Sequence, residues 1–175
     1  MEETTQLPSE SNKKWIWIGL GILVLVGVAL IGFRGTGLGS AYFTPGVDVD
    51  RNMDGSTTYT NEGGSVTVGN NASMPANWPS DAPTAYSGAT ILYSGTTNPT
   101  TGESGSAVAY TTSASVASVV EYYESRLTAE GWTIVASQEA AGMRVISATK
   151  DTRTLGVYVA TDGQGTTSVT AGIQL

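Results

Sequence analysis

The sequence contains no cysteine and no histidine among its 175 residues. Without cysteine the chain has no disulfide, no thiol nucleophile, no Cys-based zinc site and no cysteine that could carry a lipid anchor. Without histidine it lacks the base of a serine–histidine catalytic pair and the commonest ligand for transition metals. An enzyme would have to rely on serine, Lys150, tyrosine or carboxylates, and no such pairing is visible. We therefore predict no enzymatic activity and no cofactor.

Basic residues are also scarce, with eight lysines and arginines against fifteen aspartates and glutamates and a net charge of −7. From residue 34 onward, twelve acidic residues stand against six basic ones. Nucleic-acid binding depends on clustered basic side chains that neutralise phosphates. The sequence therefore predicts no nucleic-acid partner.

One long apolar stretch is present, residues 15–33, with the sequence WIWIGLGILVLVGVALIGF. As a helix these 19 residues would extend roughly 28 Å, close to the ~30 Å hydrocarbon core of a bilayer. Lys13 and Lys14 precede it, and positive charge favours the cytoplasmic side. We therefore expect a single transmembrane helix in the cell membrane, with a disordered cytoplasmic tail at 1–14 and the C-terminal part outside. The alternative is a cleaved signal peptide, whose apolar region is normally only about 7–15 residues.

Glycine- and proline-rich segments divide the rest of the chain. A flexible spacer is predicted at 34–46, a β-meander at 47–69, a stiff and extended connector marked by three prolines at 70–89, and an α+β domain at 90–175. Alternating apolar residues predict the strands of this domain, with a polar loop at 95–105. The strands are predicted at 90–94, 107–111, 132–137, 143–150, 154–161 and 167–175.

Residues 115–130 have the one clear helical pattern in this domain. Ser113 or Ser115 can cap its start, Gly131 can end it, and Trp132 is expected to anchor the core. The apolar face of the helix consists of Val116, Val119, Val120, Tyr123 and Leu127. The predicted fold class is thus α+β, with a transmembrane helix, a small β-meander, and an antiparallel sheet with one helix packed on it (β-β-α-β-β-β-β).

Asp50, Asn52 and Asp54 are candidate metal ligands. Residues 50–55, DRNMDG, fit the opening D-x-N-x-D-G of an EF-hand-type calcium loop, in which alternate side-chain oxygens bind the ion. The twelfth position of such a loop is Asn61 here instead of glutamate, and no amphipathic helix flanks the segment. A hairpin turn explains the same residue types through backbone conformation alone, and it is the preferred interpretation.

Residues 78–89, WPSDAPTAYSGA, resemble the opening W/F-P-x-D-x-P-x-x-Y-x-G-A of a group of uncharacterised bacterial membrane-anchored or exported proteins. Tyr122 and Tyr123, followed by Leu127 and the pair Gly131-Trp132, resemble the "YY…L…GW" helix motif of the same group. The resemblance covers about residues 75–175. It implies an envelope protein with a membrane or lipid anchor, and it provides no catalytic residues to transfer.

These observations favour a single-pass membrane-anchored protein that presents a small extracytoplasmic α+β module in the cell envelope. The preferred role is structural or protein-interacting, with a protein partner that the sequence does not identify. The alternative is a sensor module that binds calcium or a small ligand.

Overall fold

The computed structural model describes residues 48–61, 64–97, 104–140, 142–161 and 165–175. Within them the chain forms one helix, α1 (Val116–Ala129), and nine strands. The strands are β1 (Asp48–Arg51), β2 (Thr57–Asn61), β3 (Gly64–Val68), β4 (Thr90–Thr97), β5 (Ser104–Thr112), β6 (Thr133–Ala140), β7 (Met143–Lys150), β8 (Arg153–Thr161) and β9 (Thr167–Gln174).

The predicted tail, apolar stretch and spacer, residues 1–46, lie outside the described residues. In the part of the chain that the structure describes, no helix combines the length and the apolar character needed to cross a membrane.

All nine strands belong to one antiparallel sheet in the spatial order β1-β2-β3-β4-β5-β9-β8-β7-β6. The predicted fold class is therefore wrong. The described chain is mostly one sheet, and the predicted β-meander is part of that sheet instead of a unit separate from the α+β domain. The predicted meander and the predicted domain are connected by the pairing of β3 with β4, in which Val66 lies opposite Gly95 and Val68 opposite Tyr93. Without this pairing, the backbone N–H and C=O groups along one edge of β3 would have no partner in the sheet, and β4 provides those partners.

From β4 to β9 the elements occur in the predicted order, with local differences that include the following two. The predicted loop at 95–105 is shorter, because β4 continues to Thr97 and β5 begins at Ser104. In β6 a bulge follows Ile134, so that Ala136 lies opposite Ser147 instead of continuing the face of Ile134. A bulge inserts one residue and reverses the alternation, which the period-two pattern had not indicated.

The face of the sheet that α1 covers, called the helix face below, carries the apolar core. α1 packs against β6, β7 and β8. The directly opposed residues Ile146, Val157, Ala171 and Val108 continue this face across four strands, and all are fully buried. Trp132 is only 4% exposed, which confirms its predicted place in the core. The helix contributes Val119, Val120, Tyr123 and Leu127, also as predicted.

Both ends of α1 are closed by local hydrogen bonds. At the start, the Ser115 hydroxyl accepts from the backbone N–H of Ser118 at 3.1 Å. At the end, Gly131 has a positive φ of +79° and the N–H of Trp132 donates to the carbonyl of Leu127 at 2.8 Å. This is a Schellman ending, in which glycine takes the left-handed position. It turns the chain so that Trp132 enters the core where Leu127 lies.

The proline-marked connector crosses the helix face in successive turns. The N–H of Trp78 donates to Pro75 and the N–H of Ala82 donates to Pro79, at 3.0 and 3.1 Å. The expectation of an extended connector is therefore wrong, because these prolines begin turns. Trp78 packs against the core cluster.

Candidate functional site

On the β1 side of the connector, the helix face changes from apolar to polar side chains. Thr58 lies opposite Thr67, Thr67 opposite Ser94, and Ser94 opposite the core residue Val108. Side chains two residues apart on a strand point to the same side. Five hydroxyl side chains from three adjacent strands therefore form one polar floor, namely Thr58, Ser65, Thr67, Ser94 and Thr96.

Two segments rise beside this floor and form its walls. One is the turn between β1 and β2, which contributes Asn52, Met53 and Asp54, and the other is the first part of the connector, residues 73–76. Together with the floor they bound an open cleft of about 550 Å³, called the hydroxyl cleft below. This volume lies within the range of roughly 300–1,000 Å³ that is typical of small-molecule sites.

The connector wall is held in place by the Asn77 side chain. Its Nδ2 donates to the backbone oxygens of Thr96 at 3.2 Å and Gly105 at 3.1 Å. Its Oδ1 accepts from the Ser106 hydroxyl. The two walls are also joined to each other, since Asn71 Nδ2 donates to the backbone oxygen of Asp54 at 3.0 Å. The position of the wall is thus set by side-chain hydrogen bonds to β4, to β5 and to the opposite turn.

The turn wall has its own hydrogen-bond network. Asp54 Oδ1 accepts from the backbone N–H and the hydroxyl of Ser56, at 2.8 and 2.7 Å. The hydrogen bond from the Ser56 side chain is the main reason that the pKa of Asp54 lies below its usual value. Asn52 Nδ2 donates to the Ser56 hydroxyl at 2.8 Å and to the Thr58 hydroxyl at 3.1 Å. The turn is therefore connected to the floor through Thr58.

The hydroxyls of the floor form two pairs. The oxygens of Thr58 and Thr67 are 2.9 Å apart, and those of Ser65 and Thr96 are 3.3 Å apart. Thr96 Oγ1 also accepts from the backbone N–H of Ser65 at 2.9 Å. Each hydroxyl has one hydrogen and two lone pairs, and a hydrogen bond within a pair uses only one of the two hydrogens. In the Ser65–Thr96 pair the Thr96 hydroxyl also donates to the backbone oxygen of Ser65 at 3.5 Å, which uses the second hydrogen. The Thr58–Thr67 pair consequently retains one O–H, and both pairs retain lone pairs that can serve a ligand.

The predicted metal ligands are only partly brought together. Asn52 and Asp54 both line the hydroxyl cleft, but Asp50 is an exposed residue of β1 opposite Thr58 and does not line it. Asn52 directs its amide nitrogen at Ser56 and Thr58, and Asp54 uses one carboxylate oxygen for Ser56. In the described ranges, no three acidic side chains are grouped so that they could hold a metal ion. The calcium site remains a prediction. The hairpin turn is observed, and within it the N–H of Gly55 donates to the backbone oxygen of Asn52 at 3.1 Å.

Sequence reasoning missed the hydroxyl floor, although the sequence carries a signal for it. Three segments have a hydroxyl residue at every second position, and each is now seen to be a strand: Thr58 and Thr60, Ser65 and Thr67, Ser94 and Thr96. Such spacing places two hydroxyls on one face of each strand. The sequence did not indicate that the three strands are neighbours.

Glu121 and Glu124, the acidic residues in the middle of α1, do not form a carboxylate pair. Glu121 is exposed, and Glu124 Oε1 accepts from the hydroxyl of Ser137 on β6. They belong to the solvated side of the helix.

Comparison with known proteins gives one match. A family model described as START domain-like matches residues 92–167, which is less than half of the chain. The matched range begins in β4, includes α1 and ends at the first residue of β9, and it contains Ser94 and Thr96 of the hydroxyl floor. The match indicates a small domain of a ligand-binding type. No curated protein and no solved structure matches the chain.

Proposed function

We propose that this protein is a membrane-attached module that binds a small ligand in the hydroxyl cleft. The observation that carries the proposal is the cleft itself, whose floor presents five hydroxyl side chains from three adjacent strands. The START domain-like match supports a ligand-binding role over the structural or protein-interaction role that the sequence favoured.

The construction of the cleft supports binding in physical terms. Its floor is part of a hydrogen-bonded sheet, and its walls are attached to that sheet through Asn77 and through Asn52. Polar groups held in position before a ligand arrives lose little conformational entropy when it binds. The two floor pairs, Thr58 with Thr67 and Ser65 with Thr96, keep unused hydrogen-bonding capacity. The site is thus preorganised for a ligand that exchanges hydrogen bonds with hydroxyl groups.

Binding is tested by NMR on the full chain, labelled with ¹⁵N and reconstituted in phospholipid nanodiscs. A library of small polar fragments is added, and we expect shifts of the Thr67 and Thr96 amides for the fragments that bind. Thr67→Phe should abolish these responses by filling the cleft. Val66→Phe is the matched control, because it adds similar bulk to the neighbouring position on the opposite face. The proposal fails if no fragment shifts the cleft amides, or if both variants respond alike.

Membrane attachment through residues 15–33 is the second part of the proposal, and it is supported by their length and apolar composition. The two lysines before the stretch favour a cytoplasmic N-terminus and a cleft that faces outside. Protease treatment of intact cells that carry tags at both ends of the chain provides the test. Loss of the C-terminal tag with protection of the N-terminal tag is expected, whereas protection of both tags or release of the protein from the membrane contradicts the proposal.

A further inference from the structure

The residues that line the hydroxyl cleft carry very little charge. Among the lining residues that the structure describes, Asp54 is the single ionisable side chain, and none is a lysine or an arginine. A phosphate or carboxylate ligand would meet the Asp54 carboxylate without a compensating cation, and it would lose its hydration. The cleft therefore disfavours an anion.

The floor is equally unsuited to a purely apolar ligand. Such a ligand would displace water from the hydroxyls without offering any hydrogen bond in return. Hydrogen-bonding groups that are buried without a partner destabilise the complex, and the two floor pairs, Thr58 with Thr67 and Ser65 with Thr96, have such unused capacity. A ligand that fits must therefore offer donors and acceptors along the side that meets the floor.

Apolar contact is available on the walls. Met53 lies in the turn with its side chain fully exposed, and Met74 lies half-buried in the connector beside Pro75. Methionine is flexible and polarisable enough to pack on ligands of varied shape. The cleft thus combines a hydroxyl floor with apolar wall positions.

We infer that the ligand of the hydroxyl cleft is a neutral saccharide. A sugar ring has hydroxyls at its edge, each of which both donates and accepts, and it has C–H groups on its faces. The edge hydroxyls match the floor pairs Thr58–Thr67 and Ser65–Thr96, while the C–H faces match Met53 and Met74. This inference rests on the proposed binding function and assigns its ligand class.

The experiment uses the full chain in phospholipid nanodiscs, because detergents with sugar headgroups would compete for the site. The probes are maltotetraose and cellotetraose, the charged saccharide tetragalacturonate, the polyamine spermidine, and octanol. We expect at least one neutral tetrasaccharide to shift the Thr67 and Thr96 amides in a saturable way. Tetragalacturonate, spermidine and octanol should produce much smaller shifts.

Three variants show whether the floor hydroxyls make the contact. Thr67→Val keeps the shape and removes the hydroxyl, and it should weaken saccharide binding by about 3–10-fold. Thr67→Ser restores the hydroxyl and should bind like the wild type. Thr57→Val, on the same strand as Thr58 but facing the other side, should leave the dissociation constant unchanged. Circular dichroism confirms that each variant is folded.

The outcomes separate the ligand class from the binding function. Shifts of the cleft amides by spermidine, octanol or tetragalacturonate, without any by the neutral tetrasaccharides, overturn the saccharide inference and leave the cleft as a binding site. Failure of every probe and every polar fragment to shift the cleft overturns both. Saccharide binding that Thr67→Val does not weaken also overturns the inference, because the hydroxyl floor would then not make the contact.

Discussion

The carboxylate of Asp81 accepts two parallel hydrogen bonds from the guanidinium of Arg153, with lengths of 2.7 and 2.8 Å. Lys150 lies 2.7 Å from the same carboxylate. Trp132 donates its indole N–H to the backbone oxygen of Asp81, and the Arg153 guanidinium is 5.2 Å from the centre of the Trp132 ring. The proline-marked connector is therefore attached to the β7–β8 hairpin through the side chain of Asp81, and to Trp132, just before β6, through the backbone oxygen of the same residue. The WPSD and GW motifs, separated by some fifty positions along the chain, meet at this contact.

We expect Asp81→Asn to lower the free energy of unfolding by about 1–2 kcal/mol at pH 7, because Lys150 and Arg153 then lie together without their counter-charge. Hydrogen bonds from Arg153 and then from Lys150 hold the pKa of Asp81 well below its usual value. The folded state thus binds fewer protons than the unfolded state near pH 4, so this stabilisation is present above about pH 4 and is lost as the pH falls.

Urea denaturation of the full chain in micelles, at pH 7 and pH 3, measures this difference. The gap between the wild type and Asp81→Asn should be smaller at pH 3. Asp151→Asn is the control, because its carboxylate is 80% exposed and 3.8 Å from Arg153, and it should change the stability by less than about 0.5 kcal/mol. An equal loss in the two variants would contradict a specific role for Asp81.

The start of α1 provides a second test, which also decides between the two caps that the sequence allowed. Ser115→Ala removes the acceptor of the Ser118 N–H and should cost about 1 kcal/mol of stability. Ser113→Ala should have little effect, because Ser113 is exposed and the structure places the cap at Ser115. Thermal unfolding followed by circular dichroism compares the two variants. A larger loss from Ser113→Ala would show that the helix begins earlier than described.

Short-range features of the fold could be predicted from the sequence because their causes lie within a few residues. The cap at Ser115, the glycine ending at Gly131 and the buried face of α1 each depend on the chemistry of one or two turns. Strand positions in the second half of the chain were also predictable, since the alternation of Leu155, Val157 and Val159 is strict. In each of these features the conformation that the local sequence favours is also the one that tertiary packing favours.

The features that the sequence did not predict depend on contacts between distant segments. The sheet is continuous because Thr67 pairs with Ser94 across the connector, and no local pattern specifies which strand β3 will meet. The hydroxyl cleft exists because of that pairing, since it brings Thr96 beside Ser65. The sequence does not indicate the ion pairs of Asp81, because the lysine and arginine that bind it follow some seventy positions later. The candidate site thus depends on the order of the strands in the sheet, which local sequence patterns do not specify.

Gly69 is expected to be intolerant of substitution, because it lies directly behind the turn wall of the cleft. Its φ is +145°, and an added Cβ would lie 2.6 Å from the Cα of Ser56. Gly69→Ala must therefore displace Ser56, whose hydroxyl and N–H bind Asp54. We expect a loss of more than about 2 kcal/mol in stability.

Gly55→Ala is the matched control for Gly69, since Gly55 also has a positive φ, +85°, but has open space where the Cβ would be. Only the backbone conformation is unfavourable there, so the loss should be about 1 kcal/mol. Urea denaturation gives both values, and the amide shifts of Ser56 report on the displacement. Equal losses in the two variants would show that the close approach to Ser56 is relieved without cost.

The buried tyrosine pair beneath α1 leads to a prediction at alkaline pH. The Tyr110 hydroxyl donates to the Tyr123 hydroxyl at 3.1 Å, and both side chains are almost completely buried. Burial raises the pKa of Tyr110 to about 12 and raises that of Tyr123 well above its ordinary value. Above pH 10 the unfolded state therefore loses phenolic protons that the folded state retains. Stability must then fall as the pH rises from 10 towards 12.

Tyr123→Phe separates the two effects of this pair. At pH 7 it removes the acceptor of the Tyr110 hydroxyl and should cost about 1–2 kcal/mol. Between pH 10 and 12 its stability should fall less steeply than that of the wild type, because one raised pKa has been removed. Tyr59→Phe, at a half-exposed position opposite Val66, is the control for the loss at pH 7, and it should change the stability by less than about 0.5 kcal/mol. If Tyr123→Phe and the wild type lose stability at the same rate above pH 10, the Tyr123 hydroxyl ionises as readily in the folded state as in the unfolded one, and it is not enclosed by the core.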